Sequence, residues 1–141
     1  MNQRPARRSL QIAACAACAL ALANCNDQGQ DHPDHLAIAD VSGKSIADVS
    51  DHVPSEATFL VQQPSMGSED APLYDSSQQE STRWIVLAGC SEQKDVDDSD
   101  TVEVSVIPQD DYDKSIKSQV ASGELADTVT CDGREYHSNP V

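Results

Sequence analysis

The chain is 141 residues long and carries 24 acidic residues, nine basic residues, five cysteines and only five aromatic side chains. That length holds one domain of ordinary size. A formal net charge of −15 excludes nucleic acid and anionic lipid headgroups as direct partners of its surface, because like charges repel across any such contact.

The first segment is read as a signal peptide, residues 1–24. Arg4, Arg7 and Arg8 precede an uncharged, Ala- and Leu-rich run over 10–23, and no acidic residue appears before Asp27. Basic flank followed by apolar run is the pattern of an export signal. The run falls short of the about 20 residues that a spanning helix needs. Arg7-Arg8-Ser9-Leu10 also resembles a twin-arginine signal without its flanking residues. At the end of the run, Leu22-Ala23-Asn24-Cys25 resembles a bacterial lipobox, in which the Cys becomes residue one and its sulfur carries a diacylglyceryl group. Asn24 stands where that pattern has a small residue. The alternative is cleavage after the A-x-A-like Ala21-Leu22-Ala23, which releases a soluble protein.

Cysteine arithmetic bears on that choice. Cys15 and Cys18 leave with the signal, so Cys25, Cys90 and Cys131 remain. A lipid on Cys25 leaves Cys90 and Cys131 to pair, whereas soluble secretion leaves an odd thiol in an oxidising compartment. Acyl chains contribute about 0.8 kcal/mol per buried methylene, enough to anchor without a spanning helix. Loss of the signal leaves six basic residues against 24 acidic ones, a net charge of −18.

Residues 25–36 are polar and read as a flexible tether behind Cys25. Its Asp31-His32-Pro33-Asp34-His35 run has metal-binding residue types, but Pro33 keeps both imidazoles off one helical face, so no metal is assigned to it. A lead-in over 38–42 is expected to be extended. Ser45 and Asp48 then form a capping-box-like start for a helix bearing Ile46, Val49 and Val53, which Pro54 stops. The five letters IADVS occur at 38 and again at 46, and only the second copy has a cap.

Three strands are predicted next, at TFLV (58–61), RWIVLA (83–88) and TVEVSV (101–106). Alternation places Val102, Val104 and Val106 on one face and leaves Glu103 and Ser105 solvated. A polar stretch over 64–82 separates the first two strands and is expected to be mobile, with Leu73 and Tyr74 able to pin its middle. Asp95, Asp97, Asp98 and Asp100 make an acidic turn. Asp95-x-Asp97-x-Ser99 starts like a calcium loop, but Asp100 stands where the turn glycine belongs, so the turn reads as solvated.

Residues 108–141 are expected to form an extension: a helix capped by Asp110-x-x-Asp113 and bearing Tyr112, Ile116 and Val120, stopped at Gly123, then a two-residue hairpin at Asp132-Gly133. A Cys90–Cys131 disulfide would staple this extension to the sheet and contribute about 4 kcal/mol. A redox or metal role for those sulfurs would call for a C-x-x-C spacing or nearby His partners. His52 and His137 lie far in sequence from the tether histidines, with no nucleophile pattern beside them.

The fold class expected is therefore α+β: one capped helix packed on a three-stranded antiparallel or mixed sheet, with a stapled C-terminal helix and hairpin. Residues 39–48, ADVSGKSIAD, resemble the opening of PASTA domains, and Trp84-Ile85-Val86-Leu87 with 101–106 are similar to that family's last two strands. The resemblance spans roughly 37–107 and departs at Ala39, where the family has Pro, and at Ser91, Lys94 and Ser99, where its turn has Pro and two Gly. An unrelated small α+β lipoprotein domain is the alternative. The resemblance implies a non-catalytic envelope module associated with peptidoglycan or another envelope protein. The chain lacks G-x-S-x-G and H-E-x-x-H patterns, and neither enzyme activity nor a cofactor is expected. A second reading is a carrier of a divalent ion or small ligand on the turn at 95–100.

Overall fold

The computed structural model describes residues 35–66 and 69–138, all within the unit Asp31–Val141. The calls on the signal peptide, on the lipidated Cys25 and on His32 lie outside the described residues. Among the described residues, no helix is long and apolar enough to cross a membrane.

The α+β expectation holds, with a mixed sheet of four strands instead of three. In chain order the elements are α1 (Ile46–Ser50), β1 (Thr58–Gln62), β2 (Trp84–Ser91), β3 (Thr101–Pro108), α2 (Lys114–Ser122) and β4 (Tyr136–His137). The sheet order is β1-β3-β2-β4. β3 runs parallel to β1 and antiparallel to β2, and β4 runs antiparallel to β2. The fourth strand comes from the segment expected to fold back on itself as a hairpin. Gly133 does take the left-handed conformation of a turn, φ 73°, but the chain beyond it pairs with β2, where Cys90 and Ser91 offer open backbone groups to His137 and Tyr136.

Local chemistry explains the helices. The Ser45 hydroxyl accepts the Asp48 N–H at 3.2 Å and donates to the Asp48 carboxylate at 2.7 Å, which satisfies the first turn of α1. At α2 the Asp113 carboxylate accepts the Ile116 N–H at 2.9 Å, so the helix begins after Asp113 and leaves Asp110 in a preceding 3-10 turn and Tyr112 outside the helix, against expectation. Gly123 closes it at φ 78°, as expected from sequence.

The two IADVS copies do part company, though the first is not extended. Ile38–Asp40 form a single 3-10 turn. The extended contact comes later: Gly43 N–H donates to Val86 O at 2.8 Å and Val86 N–H to Lys44 O at 2.9 Å. Gly-Lys-Ser thus covers the start of β2's edge, and β4 covers its end.

Both faces of the sheet are covered. Val102, Val104 and Val106 face α1 and the lead-in, packing with Val41, Ile46 and Val49. The other face carries Ile85, Leu87 and Ile107 under Val120 and Leu125. Glu103 and Ser105 are consequently buried, at 4% and 0% exposure, against the expectation that they are wet. The C-terminal segment forms a third layer over them, which alternation within a single strand does not reveal. In the polar stretch before β2, Tyr74 packs edge-on against Trp84 with ring centroids 5.4 Å apart, while Leu73 is exposed.

Candidate functional site

The position of Cys90 depends on an irregularity in β2. Trp84 and Val86 face α1, so continued alternation would send Ala88 and Cys90 to that side as well. The register with β3 shifts between Val86 and Ala88: Val86 sits opposite Val106, and Ala88 opposite Ser105. Leu87 is the extra residue of a β-bulge, and such an insertion reverses the facing of everything after it. Ala88 and Cys90 therefore join Val129 and Cys131 on the C-terminal side. Gly89 correspondingly turns to the α1 side, where a Cβ would lie 3.0 Å from a methyl of Val41.

Cys90 and Cys131 are joined as a disulfide, with Cα atoms 6.1 Å apart and a sequence separation of 41. Cys90 is fully buried. The sheet register places Leu60 beside Glu103, Glu103 beside Cys90, and Cys90 beside His137. Register neighbours share a face, so a carboxylate, a sulfur and an imidazole form one transverse row. One ligand atom from each of Cys90, Cys131 and His137 lies within 4.8 Å of the others.

Arg134 holds the acidic side of this row. Its guanidinium donates to Glu92 at 2.8 Å and reaches Glu103 at 3.5 Å. Glu92 uses its other oxygen to accept the Thr101 N–H at 3.1 Å. Burial of Glu103 as a carboxylate is costly without such a partner, and the pairing explains why it can sit under the C-terminal segment. The second Glu103 oxygen lies 3.8 Å from Cys90 Sγ; a disulfide sulfur has no proton to donate, so this is a packing contact. His137 Nε2 lies 3.1 Å from Arg134 O. A carbonyl only accepts, so Nε2 is the donor of this contact.

The chain is fastened beyond the row as well. Ser138 accepts the Gly89 N–H on its hydroxyl at 2.6 Å and donates its own N–H to Gly89 O at 2.7 Å. On the β1 side, the Gln62 amide takes the place of a strand: it donates to Thr130 O at 3.1 Å and accepts Thr130 N–H at 2.9 Å.

The acidic turn is wired inward at its centre. Asp97 accepts the Leu36 N–H at 2.8 Å on one oxygen and lies 3.0 Å from His52 Nδ1 on the other. Burial alone would raise its pKa, but the Leu36 and His52 hydrogen bonds outweigh that and hold the carboxyl below the usual range. Asp98 and Asp100 are exposed, and Asp95 is partly buried. His35 is exposed at the start of the described chain.

Of the sites expected from sequence, the Cys90–Cys131 pair is assembled. Glu103, Arg134 and His137 were missed as its neighbours. A usable signal did exist: once Cys131 is placed against the end of β2, the residues three to six positions further on must land along that same edge.

Comparison with protein-family models, with curated proteins and with solved structures gives no match for this chain.

Proposed function

We propose that the chain is an exported, non-catalytic lipoprotein of the cell envelope, anchored through Cys25 on the extracytoplasmic side, whose acidic domain binds or scaffolds peptidoglycan or another envelope protein. The observation that carries this reading is the Cys90–Cys131 disulfide. It consumes two of the three cysteines that remain after the expected cleavage and leaves Cys25 as the odd one, at the lipobox-like position. Disulfides persist in oxidising compartments, so the bond fits an exported chain. The net charge of −18 after cleavage fits a domain held away from anionic headgroups by its tether.

The PASTA-like part of the proposal is supported by element order. Gly43-Lys44-Ser45, a capped helix and three strands follow one another, with the last two strands antiparallel. A module of this kind acts through its surface: the groove lined by Trp84, Pro72, Arg83 and Pro108 holds about 100 Å³, and the larger hollows beside Gln63 and Leu73, about 360 Å³, and beside Val53 and Phe59, about 270 Å³, lie open to solvent.

The test is mass spectrometry of the protein from membranes. The expected mature N-terminus is Cys25 bearing diacylglycerol, and Cys25→Ala is expected to release the protein from the membrane fraction. An unmodified N-terminus at Asn24 overturns the anchor. Co-sedimentation with purified peptidoglycan then tests the partner.

A further inference from the structure

We propose that reduction of the Cys90–Cys131 disulfide converts the staple into a site for a thiophilic d10 cation, zinc(II) or copper(I), with Cys90, Cys131 and His137 as its protein ligands. The inference goes beyond the anchoring role and does not rest on it.

The geometry supplies three donors of matching softness. Ligand atoms of Cys90, Cys131 and His137 already lie within 4.8 Å of one another, and thiolate and imidazole are the donors such ions select. Once the covalent bond is gone, the two sulfurs settle at about 3.7 Å, the spacing of two thiolates on a tetrahedral ion with bonds near 2.3 Å. Cys131 can make that movement, because it is only partly buried and lies in the segment between the Gln62–Thr130 contact and the turn at Gly133.

The imidazole has one nitrogen already engaged. Nε2–H is held by Arg134 O at 3.1 Å, the kind of second contact that fixes the tautomer of a metal-binding His and leaves Nδ1 to bind. Glu103 borders the site, with an oxygen 3.8 Å from Cys90 Sγ, and the fourth position is left to water or an external ligand. Its other oxygen faces Arg134. Two thiolates, Glu103 and Glu92 against one guanidinium leave the site negative enough to accept a cation.

The chemistry balances with an external dithiol as reductant. The protein disulfide takes two electrons and two protons and becomes two thiols, while the dithiol becomes a disulfide. Binding of the cation then releases the two thiol protons. Oxidation runs the sequence backwards and expels the ion, so the oxidised and metal-bound forms are mutually exclusive.

The experiment uses the full chain in mild detergent, with Cys15, Cys18 and Cys25 replaced by Ser so that only the pair in question titrates. One sample is kept oxidised and the other is reduced with a phosphine that is then removed under nitrogen. Both are titrated with cobalt(II), a spectroscopic stand-in for zinc. The expected result is one equivalent bound by the reduced chain alone, with a thiolate-to-cobalt charge-transfer band and strong visible absorption from tetrahedral cobalt. His137→Ala is expected to weaken binding at least about 10-fold, and Cys131→Ser to remove the band's two-thiolate intensity. Equal affinity in the oxidised and reduced chains, or an unaltered affinity in His137→Ala, overturns the proposal. So does a reduced chain whose circular dichroism shows that it has lost its fold and does not regain it with cobalt.

Discussion

Asp97 illustrates how one carboxylate can hold three parts of the chain together. It joins the turn before β3 to the Leu36 backbone and to His52 just after α1. Hydrogen bonds to a charged acceptor contribute about 1.5–3 kcal/mol, and Asn in its place keeps one acceptor of similar shape. We therefore expect Asp97→Asn to cost about 1 kcal/mol at neutral pH. Because the folded carboxyl titrates below its unfolded value, its contribution is full above the unfolded pKa of about 3.9 and fades as pH falls through the folded one. The wild type and Asp97→Asn should thus converge in stability as pH falls through the folded pKa, below the unfolded value, which denaturant titrations at a series of pH values from 7 downwards can check. Convergence at neutral pH would show that the His52 contact contributes nothing. The same variant separates this internal role from a calcium role: a structural Asp97 predicts the same melting temperature with and without calcium.

At the scale of elements, the bulge in β2 governs which face of the sheet receives the disulfide. Deleting Leu87 restores simple alternation and turns Cys90 towards α1, away from Cys131. The expected outcome is a folded or partly folded chain whose Cys90 and Cys131 both react with a thiol alkylator under denaturing, non-reducing conditions. In the wild type both should stay unlabelled. The sequence pattern made the strands legible because TFLV, RWIVLA and TVEVSV are β-branched and apolar, and it made α1 and α2 legible through Ser45, Asp113 and Gly123. The bulge was not legible, because WIVLAGC is apolar at almost every position and so carries no alternation whose reversal could be noticed. The burial of Glu103 escaped for a related reason: a charged residue in an alternating strand looks solvated until the element that covers it and the Arg that pairs with it are placed. β4 is two residues long, too short for any pattern, and the Asp-Gly turn before it pointed to the wrong strand partner.

For the molecule as a whole, the disulfide is a large share of a small stability. A loop of 41 residues corresponds to about 4 kcal/mol of chain entropy, set against the typical 5–15 kcal/mol of a domain. Reduction without metal is expected to lower the melting temperature by roughly 15–20 °C and to leave the fold intact at room temperature. Calorimetry with and without a phosphine reductant measures this, and a change of only a few degrees would show that the hydrogen bonds of Gln62 and Ser138 do most of the fastening. The sheet order adds a consequence in time. Among the described residues, β1 finds its only strand neighbour in β3, which begins 39 residues after β1 ends, and β2 gains its second neighbour only when residues 136–137 are in place. A chain emerging from its N-terminal end must hold β1 unpaired until β3 arrives, and must keep Cys90 waiting longer still. The bond that fastens this domain can thus form only after residue 131 has emerged, so whatever delays that part of the chain leaves β1 and Cys90 without their partners for as long.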